Sequence, residues 1–286
     1  MIIANYSSVI QTNKSQLSPV INHLDKNLNK KNLKSYVNPN FKSDLNLYHF
    51  GGVNSLIKFI KNKFLYKNII HVPIFHGTDL HKYSKDFNFL NRLKVELNFV
   101  ANIILIYFCD YTYIVSENLF SKIPYFLRKK VRILSLGVDS QIIRKAVKKR
   151  RTVAFVNNNF RGIKNKKLAY LFCKKNDLNL IELSGLNHQK FLKKLSSSEF
   201  LILTSFEEGS PNVVKEAILS NTKLITVDVG DALSQVSRFG GRLIDYNGQT
   251  IKIFEKSNNY TFNYLDISNT ISQIVNDAIY FKKINK

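Results

Sequence analysis

Short apolar runs alternate along this chain with segments whose apolar residues recur at helical spacing. Leu45–Phe50, Ile69–Phe75, Asp110–Val115, Val131–Leu136, Thr152–Val156, Leu178–Leu183, Phe200–Thr204 and Lys223–Val229 are each the length of a buried parallel strand. Between them lie helical patterns. Residues 54–64 carry Leu56, Ile57, Phe59, Ile60 and Phe64 on one side, and further helices are expected at 89–108, 119–126, 166–175, 188–195, 232–236 and 266–280. The clearest unit is residues 200–231. There an apolar run meets a polar turn, Ser205–Gly209, and Ser210-Pro211 then starts a helix, with serine as N-cap and proline as first helical residue. Val213, Val214, Ala217, Ile218 and Leu219 form its apolar face, Asn221 ends it, and the next strand follows. Strand–helix–strand repetition of this kind predicts an α/β architecture with parallel sheets. Residues 1 to about 45 offer only one short helical pattern, 17–28, in a polar background.

Composition narrows this picture. A chain of 286 residues with 44% hydrophobic content is globular and has room for two small α/β domains. Cys109 and Cys173 sit in apolar contexts and read as core thiols in a reducing compartment. No Cys/His metal spacing appears, the first residues lack a signal-peptide pattern, and the apolar run 99–108 is too short to span a bilayer. The net charge is +23 and uneven, with 24 basic and 8 acidic residues in 1–150 against 19 and 12 in 151–286. Such an excess favours an anionic partner. The basic run Arg144–Arg151 has no interleaved aromatics for base stacking, so it reads as an interdomain linker and no nucleic-acid partner is expected.

The chemistry concentrates at the start of the helix after Pro211. Its first amides, Asn212 and Val213, open onto a strand's carboxyl end, where the helix dipole favours an anion and open α/β sheets collect ligands. Glu216 lies about 7–8 Å further along the axis at 1.5 Å per residue, and Glu207 and Glu208 precede the turn on its other side. A diphosphate on the amides, with polyols reaching a carboxylate at each end, fits this spacing and describes a nucleotide sugar.

Glu208, seven residues and Glu216, within EGSPNVVKEAI and with Gly209, Ser210 and Ala217 in register, resemble the E-x7-E signature of GT-B glycosyltransferases of family 4. The turn HGTDL, His76–Leu80, resembles the HG(S/T)D loop of that family, and Asp110–Ser116 and Leu136–Asp139 resemble its AD-x-IIxxS and PNGVD segments. The resemblance implies a GT-B fold, two Rossmann-like domains facing a cleft. The first would be reduced, because the family's opening strand and glycine-rich acceptor loop are not found in residues 1–45. The expected division is 1–147, 148–266 and a terminal helix, 267–286, that crosses back to the first domain.

The resemblance also assigns roles. Glu208 would face the donor sugar, Glu216 the ribose, and Gly209, Ser210, Asn212 and Val213 the diphosphate. Arg161 and Lys164 would face the diphosphate as well, at a spacing shorter than the usual R-x4-K. His76 would approach the transferred sugar from the acceptor side. The implied activity is retaining transfer of a hexose from a UDP- or GDP-linked donor to a glycan or lipid-linked acceptor, in surface polysaccharide synthesis. It would need no metal and no cofactor, and would take place in the cytoplasm. The charge of the basic first domain, apart from the resemblance, suggests an anionic membrane face. A GT-B epimerase and a non-catalytic sugar-nucleotide binding module are the alternatives. His49, His71 and His81 read as structural or exposed.

Overall fold

The computed structural model describes residues 1–7, 19–31, 33–80, 89–140, 143, 146–147, 149–157, 163–257 and 265–284. The chain divides into two compact units, residues 1–135 with 267–286, and residues 136–266.

The first unit is built on a sheet of six parallel strands. These are β1 (Ile2–Ser7), β2 (Lys34–Val37), β3 (Leu45–His49), β4 (Ile70–Phe75), β5 (Thr112–Ile114) and β6 (Val131–Ile133), in the order β2-β1-β3-β4-β5-β6. Every residue of β3 and β4 is buried, as a strand covered on both faces requires. The helices are α1 (Pro19–Lys30), α2 (Gly52–Leu65), α3 (Phe89–Phe108) and, returning from the end of the chain, the helix Ile267–Ile284. α1 packs on that last helix and α2 on α3. Tyr113 Oη donates to Asp277 at 2.6 Å, and Arg132 pairs with the same carboxylate at 2.8 Å.

Two expectations are corrected here. The opening strand is present: β1 lies inside the sheet between β2 and β3. The segment 119–126 is no α-helix. Pro124 interrupts it, and two 3-10 stretches, Glu117–Lys122 and Tyr125–Lys130, take its place. Ser116 makes no capping bond there.

The second unit repeats the plan with β7 (Lys149–Phe155), α4 (Lys166–Lys175), β8 (Asn179–Glu182), α5 (His188–Ser197), β9 (Ser198–Leu203), α6 (Asn212–Leu219), β10 (Lys223–Thr226), α7 (Ala232–Phe239), β11 (Gly241–Ile244) and β12 (Thr250–Phe254); numbering the terminal helix α8 completes the set. The order is β12-β11-β10-β9-β7-β8, with β12 the antiparallel member. Its core is Val153–Phe155 and Leu201–Leu203 from the central strands, against Leu168, Phe172, Val214, Ala217 and Val236 from the helices. In each sheet the strand order reverses once, between β1 and β3 and between β7 and β9. That switch point is where loops diverge and leave a crevice at the carboxyl edge.

Candidate active site

In the second unit the candidate residues gather at the β7/β9 switch point. Two loops meet there, residues 163–165 before α4 and residues 204–211 after β9. They are zipped together by Phe206 N–H to the Ile163 carbonyl at 2.9 Å, and by Thr204 Oγ1 to the carbonyls of Lys164 and Asn165 at 2.9 and 3.1 Å. Asn165, in left-handed backbone, caps α4 by accepting from Leu168 N–H at 3.3 Å. This stitching places Lys164 beside Glu208. The two form an ion pair on Glu208 Oε1, and Ser205 Oγ donates to the same oxygen at 2.7 Å. Expected to touch different parts of a ligand, they are partners of one another in this structure. Arg161 lies outside the described residues, as does His81.

The N-terminus of α6 is arranged differently from the expectation. The N-cap is Pro211, with extended backbone, and it makes no side-chain capping bond. Ser210 is drawn away: its hydroxyl donates to Asp231 Oδ2 at 2.5 Å, an oxygen that also accepts from Gln235 Nε2 at 3.2 Å. Serine therefore fastens the turn to the loop after β10 and, among the described residues, is not the cap of the Asn212 and Val213 amides. Gly209 accepts the Asp231 amide at 3.0 Å. Gly230 makes this approach possible, since a Cβ on it would stand 2.3 Å from the Gly209 oxygen, and its φ is +57°. Two buried acceptors flank the turn, Asn212 Oδ1 and Asp231 Oδ1, and neither receives a hydrogen bond from the described residues. The far end of α6 closes as expected, with Asn221 in left-handed backbone and Thr222 N–H returning to the Ala217 carbonyl at 2.8 Å.

Glu216 is buried and accepts from His188 Nε2 at 2.8 Å, and Phe191 stacks on that histidine. Next to it Lys215 is 2% exposed, with Nζ 3.5 Å from the Ser210 carbonyl. Burial pushes its ammonium down to about 8, against the opposing pull of Asp231 and Glu216. Neither His188, Lys215, Asp231 nor Gly230 stood out in the sequence reading; the periodic signal in EGSPNVVKEAI contained Lys215 as an ordinary polar position.

A cavity of about 390 Å³ lies elsewhere, at the amino ends of β9, β10 and β11, lined by Phe200, Leu224, Phe239 and Arg242. It belongs to the opposite edge of the sheet from these residues, and the chemistry described here does not use it.

In the first unit His76 follows β4. Its amide donates to Asp79 Oδ2 at 2.8 Å, closing the HGTD turn, and Gly77 has a φ of +132°. Burial raises the Asp79 carboxyl to about 6. The His76 ring lies on Phe50, with centroids 4.3 Å apart, and its Nε2 is 3.2 Å from Nδ1 of His49. His49 is fully buried at the β1/β3 switch point, and desolvation holds its imidazole down at about 3, so it is neutral. Its partners fix the tautomer. Asn5 gives its Nδ2–H to Ser35 Oγ at 2.8 Å, and Ser35 gives its proton to Asp25 at 2.5 Å. Asn5 therefore turns its oxygen to His49 Nε2, at 3.1 Å, which must donate. His49 Nδ1 is then the acceptor and His76 Nε2–H the donor. His71 is likewise structural, buried and 2.9 Å from Tyr48 Oη.

No family model and no curated protein matches this sequence. Solved structures do. Sucrose-phosphate synthase from Thermosynechococcus elongatus superposes with a TM-score of 0.60 over 100% of this chain and 92% of that one, at 12% identity. HepE of Anabaena in complex with UDP-glucose gives 0.55 over 99% and 91%, at 12% identity. AviGT4, a glycosyltransferase involved in avilamycin A biosynthesis, gives 0.53 over 98% and 92%, at 10% identity. The fold is GT-B. In a GT-B chain the switch-point residues of the second unit, Lys164, Glu208 and the α6 amides, occupy the edge where an α/β sheet binds its ligand.

Proposed function

We propose that this chain is a metal-independent glycosyltransferase that moves a hexose from a nucleoside-diphosphate sugar to a glycan or lipid-linked acceptor with retention of configuration. One observation carries the reading: an uncapped helix N-terminus at the sheet's switch point, with a Lys–Glu pair on one side and a buried Glu on the other. The amides of Asn212 and Val213 and the turn Gly209-Ser210 suit the diphosphate. Glu216, held by His188, suits the ribose. Glu208 suits the sugar hydroxyls once Lys164 turns from it to the phosphates. As the bond from the sugar to the diphosphate breaks, the leaving group gains negative charge, which Lys164 and the helix dipole stabilise. Arg161 would add a second cation there. These cations are the reason to expect no divalent metal. His76 is assigned to the acceptor side of the sugar. HepE, which binds UDP-glucose, supports a UDP-sugar as the first donor to try.

The test is release of nucleoside diphosphate from a panel of UDP-, GDP- and ADP-sugars with candidate acceptors. Glu208→Gln and Lys164→Ala should each lower transfer more than tenfold, by about 2–4 kcal/mol of transition-state stabilisation. Full activity in both variants would refute the assignment. Isomerisation without release would mark an epimerase, and binding without turnover a non-catalytic module.

A further inference from the structure

α2 and α3 each bury one face and expose a second apolar one. Ser55, Phe59 and Asn62 of α2 are buried, as are Ala101, Asn102, Leu105 and Ile106 of α3. On the outside of α2 stand Val53, Ile57, Ile60 and Phe64, at spacings of four, three and four, with Phe64 85% exposed. On the outside of α3 stand Leu90, Leu93, Leu97, Val100, Ile104 and Tyr107, alternating three and four. Such spacing makes one continuous stripe on each helix. Scattered exposed apolar residues are ordinary, but ten at helical spacing on two packed helices are more than scatter, and such a concentration marks a binding surface.

The helices are staggered. Gly52 N–H donates to Asn102 Oδ1 and Val53 N–H to Asn98 Oδ1, the latter at 3.1 Å, so the start of α2 lies level with residues 98–102 of α3. Lys63 Nζ reaches the Phe108 carbonyl at 3.0 Å, so the two helices run in the same direction. The nine residues Phe89–Leu97 therefore extend about 13 Å beyond α2, past the carboxyl edge of the first sheet, at 1.5 Å per residue. This projecting end carries Phe89 and Leu90, 77% and 73% exposed, with Arg92 and Lys94 among them. At the side of α3, the stretch 125–130 adds exposed Tyr125 and Phe126, followed by Arg128, Lys129 and Lys130.

Charge decides what covers the patch. Between Gly52 and Lys67 there is no acid, and Lys61 and Lys67 stand exposed, while Lys58 turns to the Ser7 carbonyl and Lys63 to that of Phe108. A second copy of the chain docked symmetrically would set Lys61 and Lys67 against their own equivalents, in a molecule of net charge +23. An anionic bilayer has the complementary charge. It accepts apolar side chains at its acyl boundary and lysines at its headgroups, and it favours exposed tyrosine at the interface. We propose that the outer face of α2 and α3, led by the projecting Phe89–Leu97 end, is a docking surface for an anionic membrane. The surface lies on one unit and is independent of the reaction assigned above.

The experiment is sedimentation of the full chain with phosphatidylcholine vesicles, with and without about 30 mol % phosphatidylglycerol, at low and high salt. Wild type should partition onto the anionic vesicles alone and be released by salt. Leu93→Asp/Leu97→Asp should lower that partition about tenfold or more with unchanged Tm, since both side chains are already exposed. Lys61→Glu/Lys67→Glu should lower it as well. Failure to sediment with anionic vesicles at low salt would overturn the proposal. So would binding that the leucine variant leaves intact, which would mean charge alone. A wild-type dimer on gel filtration that the leucine variant dissociates would assign the stripe to a second copy and overturn it too.

Discussion

Lys215 gives the sharpest prediction, because stability and ligand binding should respond to it in opposite directions. Its ammonium is buried under the 208–211 turn, and burial moves its titration from 10.5 to about 8. Below that pH both the folded and the unfolded chain hold the proton, so the residue adds no slope. Between about 8 and about 10.5 the unfolded chain still holds a proton that the folded chain has released, and stability therefore rises with pH through this window. The gap corresponds to about 3 kcal/mol when the whole window is crossed. Other lysines and tyrosines titrate there as well, so the quantity to read is a difference. Urea unfolding of wild type and Lys215→Met, from about pH 7 to about pH 10, should show wild type gaining about 1–3 kcal/mol on the variant. The same deprotonation removes a positive charge from beneath the turn proposed to hold the diphosphate. Relative to the variant, UDP affinity of wild type should fall about two- to fivefold across that range, the worth of one charge near a helix N-terminus. The uracil N3–H of UDP titrates in this range too, so the difference between the two proteins is again the quantity to read. Parallel curves for the two proteins, in both stability and affinity, would refute the reasoning.

Gly230→Ala should lower Tm by about 5 °C, from left-handed backbone plus the clash with the Gly209 oxygen, and should weaken UDP binding because the turn must shift; thermal melts with and without UDP read both effects. His49→Ala removes the acceptor of His76 Nε2–H and should reduce kcat about tenfold while leaving UDP affinity unchanged, since that contact lies in the first unit. His188→Ala should weaken UDP binding by about 1–2 kcal/mol by freeing Glu216, and Glu216→Gln should keep part of the affinity through its amide oxygen. EDTA should leave turnover unchanged, and strict Mg²⁺ dependence would remove Lys164 and the helix dipole from their assigned role.

The second unit was legible in the sequence because its signals are local. The strand–turn–helix of residues 200–219 sits within twenty residues, and the spacing of Glu208 and Glu216 is readable without a fold. What escaped was long-range pairing. Ser210 looked like a cap, but Asp231, 21 residues on, takes its hydroxyl. Lys164 and Glu208 meet across 44 residues, and His188 and Glu216 across 28. The first strand escaped for a different reason. β1 buries Asn5 and Ser7 along with its apolar residues, and Asn5 serves the hydrogen-bond chain behind His49, so the segment does not read as an apolar run. The outer stripes of α2 and α3 were visible as apolar positions, but helical periodicity cannot say which of two apolar faces is covered.

The central claim is that the α6 N-terminus binds a nucleoside diphosphate, with Lys164 on its phosphates and Glu216 on its ribose. Calorimetric titration of UDP into wild type, Lys164→Ala and Glu216→Gln measures it most directly. The account predicts binding by the folded wild type, with affinity reduced about tenfold or more in Lys164→Ala and by a smaller factor in Glu216→Gln. No binding of UDP, GDP or ADP by wild type, or wild-type affinity in both variants, would contradict it.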